Sequence, residues 1–124
     1  MMSVGKKIVS LFELPFSGRQ KRAMEGRSGA SLEEFKSAFP EAAKEAEELW
    51  KGLQSVAVVD GFCPAPEDDL LEIYGLADED LDEVMVGALS RLGYRVPKPD
   101  ETNGMEPVRT VRCAVRFLKA WRSE

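Results

Sequence analysis

The sequence predicts an all-α protein, a small four-helix bundle with an N-terminal extension, and three observations lead there. Leu81, Val84, Met85, Ala88, Leu89 and Leu92 recur at helical spacing and put one apolar stripe on one face. Two further stretches keep the same period: Ala46, Leu49, Trp50, Leu53, Val56 and Ala57, then Val111, Ala114, Val115, Leu118 and Trp121. No alternating run competes with them, since the best strand candidates, Ser55–Val59 and Tyr94–Val96, are short. A chain of 124 residues with 44% hydrophobic side chains supports one core and one domain.

Val4, Ile8, Leu11 and Phe12 have helical spacing beside Lys6 and Lys7, ahead of Pro15. Two turns are too few for a firm membrane-surface helix, so packing on the domain or partial disorder is expected. Residues 17–30 hold three glycines and few apolar side chains, and read as a linker. The division that follows is a basic segment and linker over residues 1–28 and a helical domain over 29–124. Ser31 with Glu34 forms a capping box before Leu32, Phe35 and Phe39. Pro40 ends that helix and suits the first position of the next. The next helix points Ala46, Leu49, Trp50 and Leu53 inward and leaves Glu41, Lys44, Glu45, Glu47, Glu48 and Lys51 on its outer face. Val58–Glu67, with two prolines and a glycine, is a loop, and Leu70, Leu71, Ile73 and Tyr74 form a short apolar lid closed by Gly75.

The stretch from Asp68 to Pro97 is expected to organise the rest. Asp80 and Glu83 resemble a second capping box, with Asp78 as the rival cap, and Gly93 suits a left-handed C-terminal cap. Gly87 costs this helix about 1 kcal/mol against alanine, which points to a neighbouring helix coming close. Residues 98–107 are a polar loop. The last helix starts at Pro107 or Thr110 and carries Arg109, Arg112, Arg116, Lys119 and Arg122 as an outer stripe, read as solvated.

Charge is segregated along the chain. Residues 1–27 are net +4, residues 28–104 net −12 and residues 105–124 net +3, which sums to the total of −5. An acidic middle repels phosphate backbones and argues against nucleic acid; the nearest anion for the basic ends is the chain's own middle. No apolar run approaches the ~20 residues that cross a membrane. Glu13 and Pro15 interrupt the N-terminal apolar segment, so it does not read as a signal peptide, and a cytoplasmic protein is expected. Cys63 and Cys113 stand alone and read as reduced, half-buried residues.

With no histidine, Ser-His-Asp and Cys-His catalysis and most zinc sites fall away. Asp78, Asp80 and Asp82 have calcium-loop spacing, but Glu83 stands where glycine belongs and Leu89 where the bidentate glutamate belongs. Gly18, Gly26 and Gly29 make no phosphate loop. Acid–base catalysis needs a carboxyl held in an apolar pocket, and the pattern places no carboxylate inside, not even Asp68 beside Asp69. A non-catalytic protein with no cofactor and no metal is expected.

Pro66, Asp68, Asp69 and Leu70, then Asp80 to Val84, then Gly93 to Pro97, then Thr110 to Leu118 follow one another in an order that resembles acyl carrier proteins, over residues 41–121. The resemblance implies a four-helix fold and, in that family, phosphopantetheine on the serine of an Asp-Ser-Leu motif at the start of the organising helix. Here Glu79-Asp80-Leu81 puts Asp80 in the serine's place, and the other Ser-Leu pair, Ser31-Leu32, reads as a helix cap. The fold carries over and the prosthetic group does not. The family's acidic recognition helix then leaves a docking face of Glu79, Asp82, Glu83 and an exposed Val86 for a basic protein partner, on a monomer. Against this stands the plain reading of the acids as a solvated helix start favoured by the dipole. Two other functions compete: a true carrier with a displaced attachment site, and an inhibitor or immunity-type protein that neutralises a basic enzyme.

Overall fold

In a computed structural model, which describes residues 14–27, 30–102, 104 and 107–122, the chain forms six α-helices and no strand among those residues. The helices are α1 (Leu14–Glu25), α2 (Leu32–Ser37), α3 (Ala43–Val56), α4 (Leu70–Tyr74), α5 (Asp78–Leu92) and α6 (Val111–Ala120), with a 3₁₀ turn at Pro99–Thr102. The amphipathic segment expected from Val4 to Phe12 lies outside the described residues.

Side-chain caps fix three of the helix starts. Ser31 accepts from the Glu34 amide, Asp69 from those of Leu71 and Glu72, and Thr110 from that of Cys113. Gly75 and Gly93 end α4 and α5 in the left-handed conformation, at φ 71° and 77°, as their positions predicted. The other two expected starts move. Pro40 sits in a turn and α3 begins at Ala43 behind Ala42, while α5 begins at Asp78 behind Ala77, with no side-chain cap at either. Asp80 is therefore inside the first turn and does not cap.

The helix that touches most others is α3, not α5: it packs on α2, α5 and α6. Ala46, Leu49 and Leu53 are fully enclosed, and Trp50 stacks beside Phe35, which meets Phe39 edge-on. On α5 the stripe narrows to Val84, Met85, Ala88 and Leu89, with Leu81 and Leu92 half-buried at its ends. Close approach between α3 and α5 uses Gly52, where an added methyl would meet Val84 Cγ1 at 3.4 Å. Gly87 serves differently from the expectation. The atom nearest to it is Nη1 of Arg91, on its own helix, whose side chain crosses to α3 and bonds Glu48 at 2.7 Å.

The expected linker over 17–30 is corrected. Residues up to Glu25 are helical, and α1 lies against α4. The anchor is Gln20, which is fully enclosed. Its amide donates to the Ile73 carbonyl at 2.9 Å and accepts from the Val58 and Val59 amides at 2.9 and 3.0 Å. A polar side chain thus does the work of a core residue by satisfying two amides of the loop after α3 and one carbonyl of α4, and a hydropathy pattern does not register it. Phe16 packs its ring over Gly75, where an added Cβ would come within 3.0 Å.

Two segments far apart in sequence are laced together by backbone bonds: Leu70 to Arg109, Val111 to Asp68, and Arg112 to Pro66, at 2.9, 3.0 and 2.9 Å. This single antiparallel bridge at Asp69 and Thr110 fixes where α4 and α6 begin relative to each other.

Candidate functional site

Three places concentrate charge, and their local chemistry separates them. Two are buried carboxylates, which corrects the expectation that none lies inside. Asp68 is 6% exposed and Glu45 is fully enclosed.

Asp68 is saturated. Its carboxylate receives both terminal nitrogens of Arg27, the Tyr74 hydroxyl at 2.8 Å and the Ala65 amide at 3.0 Å. Arg27 also donates to the Cys63 carbonyl at 2.7 Å and lies over the Phe62 ring. Burial, then the Asp68 charge, push the Tyr74 hydroxyl far above the usual phenol range, so it stays a donor. This cluster ties the chain after α1 to the loop before α4.

Glu45 sits at the far end of α3 and joins two other elements. Tyr94 donates to it at 2.5 Å and Arg122 grips both oxygens at 2.8 and 2.9 Å. Burial alone would raise this carboxyl, but the bonds from Arg122 and Tyr94 outweigh it and bring it down to about 2. At neutral pH Glu45 is therefore an anion that clasps the ends of α5 and α6 onto α3. The basic stripe of α6, expected to be solvated, is largely paired as well: Arg112 with Glu67 and Lys119 with Glu41.

The third place is the start of α5. Asp78, Glu79, Asp80, Asp82 and Glu83 are all exposed, and among the described residues none makes an ion pair or side-chain hydrogen bond. The contrast is with α3, where Glu45, Glu47 and Glu48 each hold a cation. Like charges three and four residues apart on a helix repel by a few tenths of a kcal/mol per pair, and the dipole at the N-terminus repays a similar amount. Val86, 41% exposed, follows Asp82 and Glu83 by one turn. The predicted docking residues Glu79, Asp82, Glu83 and Val86 thus lie together on the outward side of α5.

Comparison with protein-family models, curated proteins and solved structures gives no match.

Beside the acidic turn opens a groove of about 410 Å³, which the sequence pattern did not reveal. Its wall is apolar, made by Leu71, Leu76, Leu81 and Val108. Leu71, expected as part of the apolar lid, is 54% exposed. Three charges rim the groove: Asp69, Asp78 and Arg109. Asp69 is occupied in capping α4, whereas Asp78 and the Arg109 guanidinium hold no partner among the described residues. The one sequence signal for the groove was Leu71, adjacent to Leu70 in a short helix that can bury only one side.

Elsewhere among the described residues, no group of three or more His, Cys, Asp or Glu side chains is placed to hold a metal ion. No described helix is long and apolar enough to cross a membrane.

Proposed function

We propose that this chain acts by protein–protein contact, as an acyl-carrier-like helical bundle without a prosthetic group, and that the start of α5 is its docking face. On this reading it is a cytoplasmic monomer that binds a basic partner through Glu79, Asp82, Glu83 and Val86. The observation that carries the reading is the acidic turn, unpaired among the described residues. Acids on α3 and before α4 are matched by arginine and lysine, while five carboxylates on α5 are left to solvent beside an exposed valine. Complementary charge at such a rim speeds and orients association more than it adds raw affinity. Asp80, in the first turn of α5 where the carrier family has its serine, supports a fold retained without its cofactor.

Reversing charge at Glu79 and Glu83 to lysine in the full chain tests the face. Partners captured by the native protein should be lost or weakened at least about tenfold, and more so at low salt. An unchanged partner set removes α5 as the docking face. Incubation with coenzyme A and a phosphopantetheinyl transferase should leave the intact mass unaltered; a gain of one prosthetic group would establish the competing reading, a true carrier.

A further inference from the structure

The groove next to the acidic turn carries two charges of opposite sign, neither of them paired among the described residues. Asp78 comes from the first turn of α5, and Arg109 from the segment bonded to Leu70 across the antiparallel bridge. In the same lining Leu71, Leu81 and Val108 present apolar surface that no described side chain covers fully. Leucine left half-exposed forgoes the stabilisation that full burial would bring, and a partner side chain can supply it. Asp82 lies one turn beyond Asp78 on the same edge of α5, so the negative side of the groove runs into the docking face.

We propose that this groove seats one apolar anchor residue, of leucine or phenylalanine size, from a protein partner's segment that sends basic side chains to Asp78 and Asp82 and one carboxylate to Arg109. The inference rests on the reading of α5 as the docking face and adds to it a partner class and an anchor. A volume of about 410 Å³ accepts one large side chain with its flanking backbone. Charges of opposite sign in one lining favour a segment that carries both signs, because lysine against Arg109 or a carboxylate against Asp78 would repel. Central apolar anchors with a charged rim are the arrangement that concentrates binding energy at interfaces.

Three synthetic peptides of about twelve residues test it against the full ¹⁵N-labelled chain. The first has two lysines, a leucine and a glutamate in that order; the second replaces the leucine with serine; the third replaces the glutamate with lysine. The first should shift the amides of Leu71, Leu76, Leu81 and Val108 and bind about tenfold more tightly than the second. Arg109→Ala should weaken the first peptide several-fold and tighten the third by relieving its lysine–arginine repulsion, and Leu71→Asp, at an exposed position, should weaken the first to the level of the second. Equal binding of the first two peptides, lost on Glu79→Lys, overturns the groove and leaves the α5 face standing. No binding by any peptide overturns both. Shifts at Leu71 and Leu81 that appear without peptide when Leu11 and Phe12 are changed to serine assign the groove to the chain's own N-terminal segment and overturn the partner. A dimer that Leu71→Asp returns to monomer assigns the groove to a second copy and overturns the partner in the same way.

Discussion

Replacing Glu45 with glutamine removes one charge from the centre of the clasp while keeping its shape. The native carboxyl sits at about 2 against an ordinary 4.5. At ~1.4 kcal/mol per pH unit, that difference is worth about 3 kcal/mol of folding stability. Because the folded value is depressed, the contribution is complete above the unfolded value of 4.5 and is lost as pH falls from there through about 2. Glu45→Gln should therefore cost about 3 kcal/mol at pH 7, and the two proteins should converge as pH drops below 4.5. Urea melts at pH 7, 5, 4 and 3 read this directly, since Trp50 is buried and Trp121, under the Arg95 guanidinium, lies one residue from Arg122. A loss at pH 7 below about 1 kcal/mol refutes the reasoning, as does a gap that persists unchanged at pH 3. The first outcome would mean the cost of burying the pair cancels its attraction.

Arg27→Ala should be more damaging, by about 3–5 kcal/mol, because it leaves Asp68 buried with a charge and no cation. Adding Asp68→Asn should recover part of that loss, and an additive double mutant in urea melts would show the two do not couple. Gly75→Ala meets both a positive φ and the Phe16 ring, so a loss of about 1–2 kcal/mol is expected in thermal melts; no loss would place α1 off α4 in solution. Asp82→Asn with Glu83→Gln should leave stability within about 0.5 kcal/mol of the native value, since repulsion along the helix and attraction to its N-terminus offset each other. A large loss there would make the acids structural and remove the reason to call them a docking face.

Much of the helical framework was legible because apolar period and cap chemistry agreed. Ser31, Gly75, Gly93 and Thr110 mark helix ends by side-chain or backbone geometry that is local, and local signals survive folding. What escaped is what only tertiary structure creates. Glu45 stands among exposed-looking glutamates, and nothing local separates it from Glu47; its partners are 49 and 77 residues away. Gln20 looks like linker composition until Val58, Val59 and Ile73 arrive to use its amide. The candidate docking residues were legible as exposed positions on one face, but the groove was not, because it needs Val108 and Arg109 brought beside Leu71 by the bridge at Asp69.

The charge segregation along the sequence finds its meaning in these long-range pairs. Basic residues from the first 27 and the last 16 positions reach acids of the middle: Arg19 to Glu72, Arg27 to Asp68, Arg112 to Glu67, Lys119 to Glu41 and Arg122 to Glu45. Exposed members of this set are worth at most about 1 kcal/mol each, whereas the two enclosed carboxylates enforce register, because any other pairing would strand a charge in the core. Against that pattern, Arg109, which lines the groove together with Asp78, pairs with no acid among the described residues. On the proposed reading, this unpaired corner, and not the paired surface of α3 and α6, is where a partner docks.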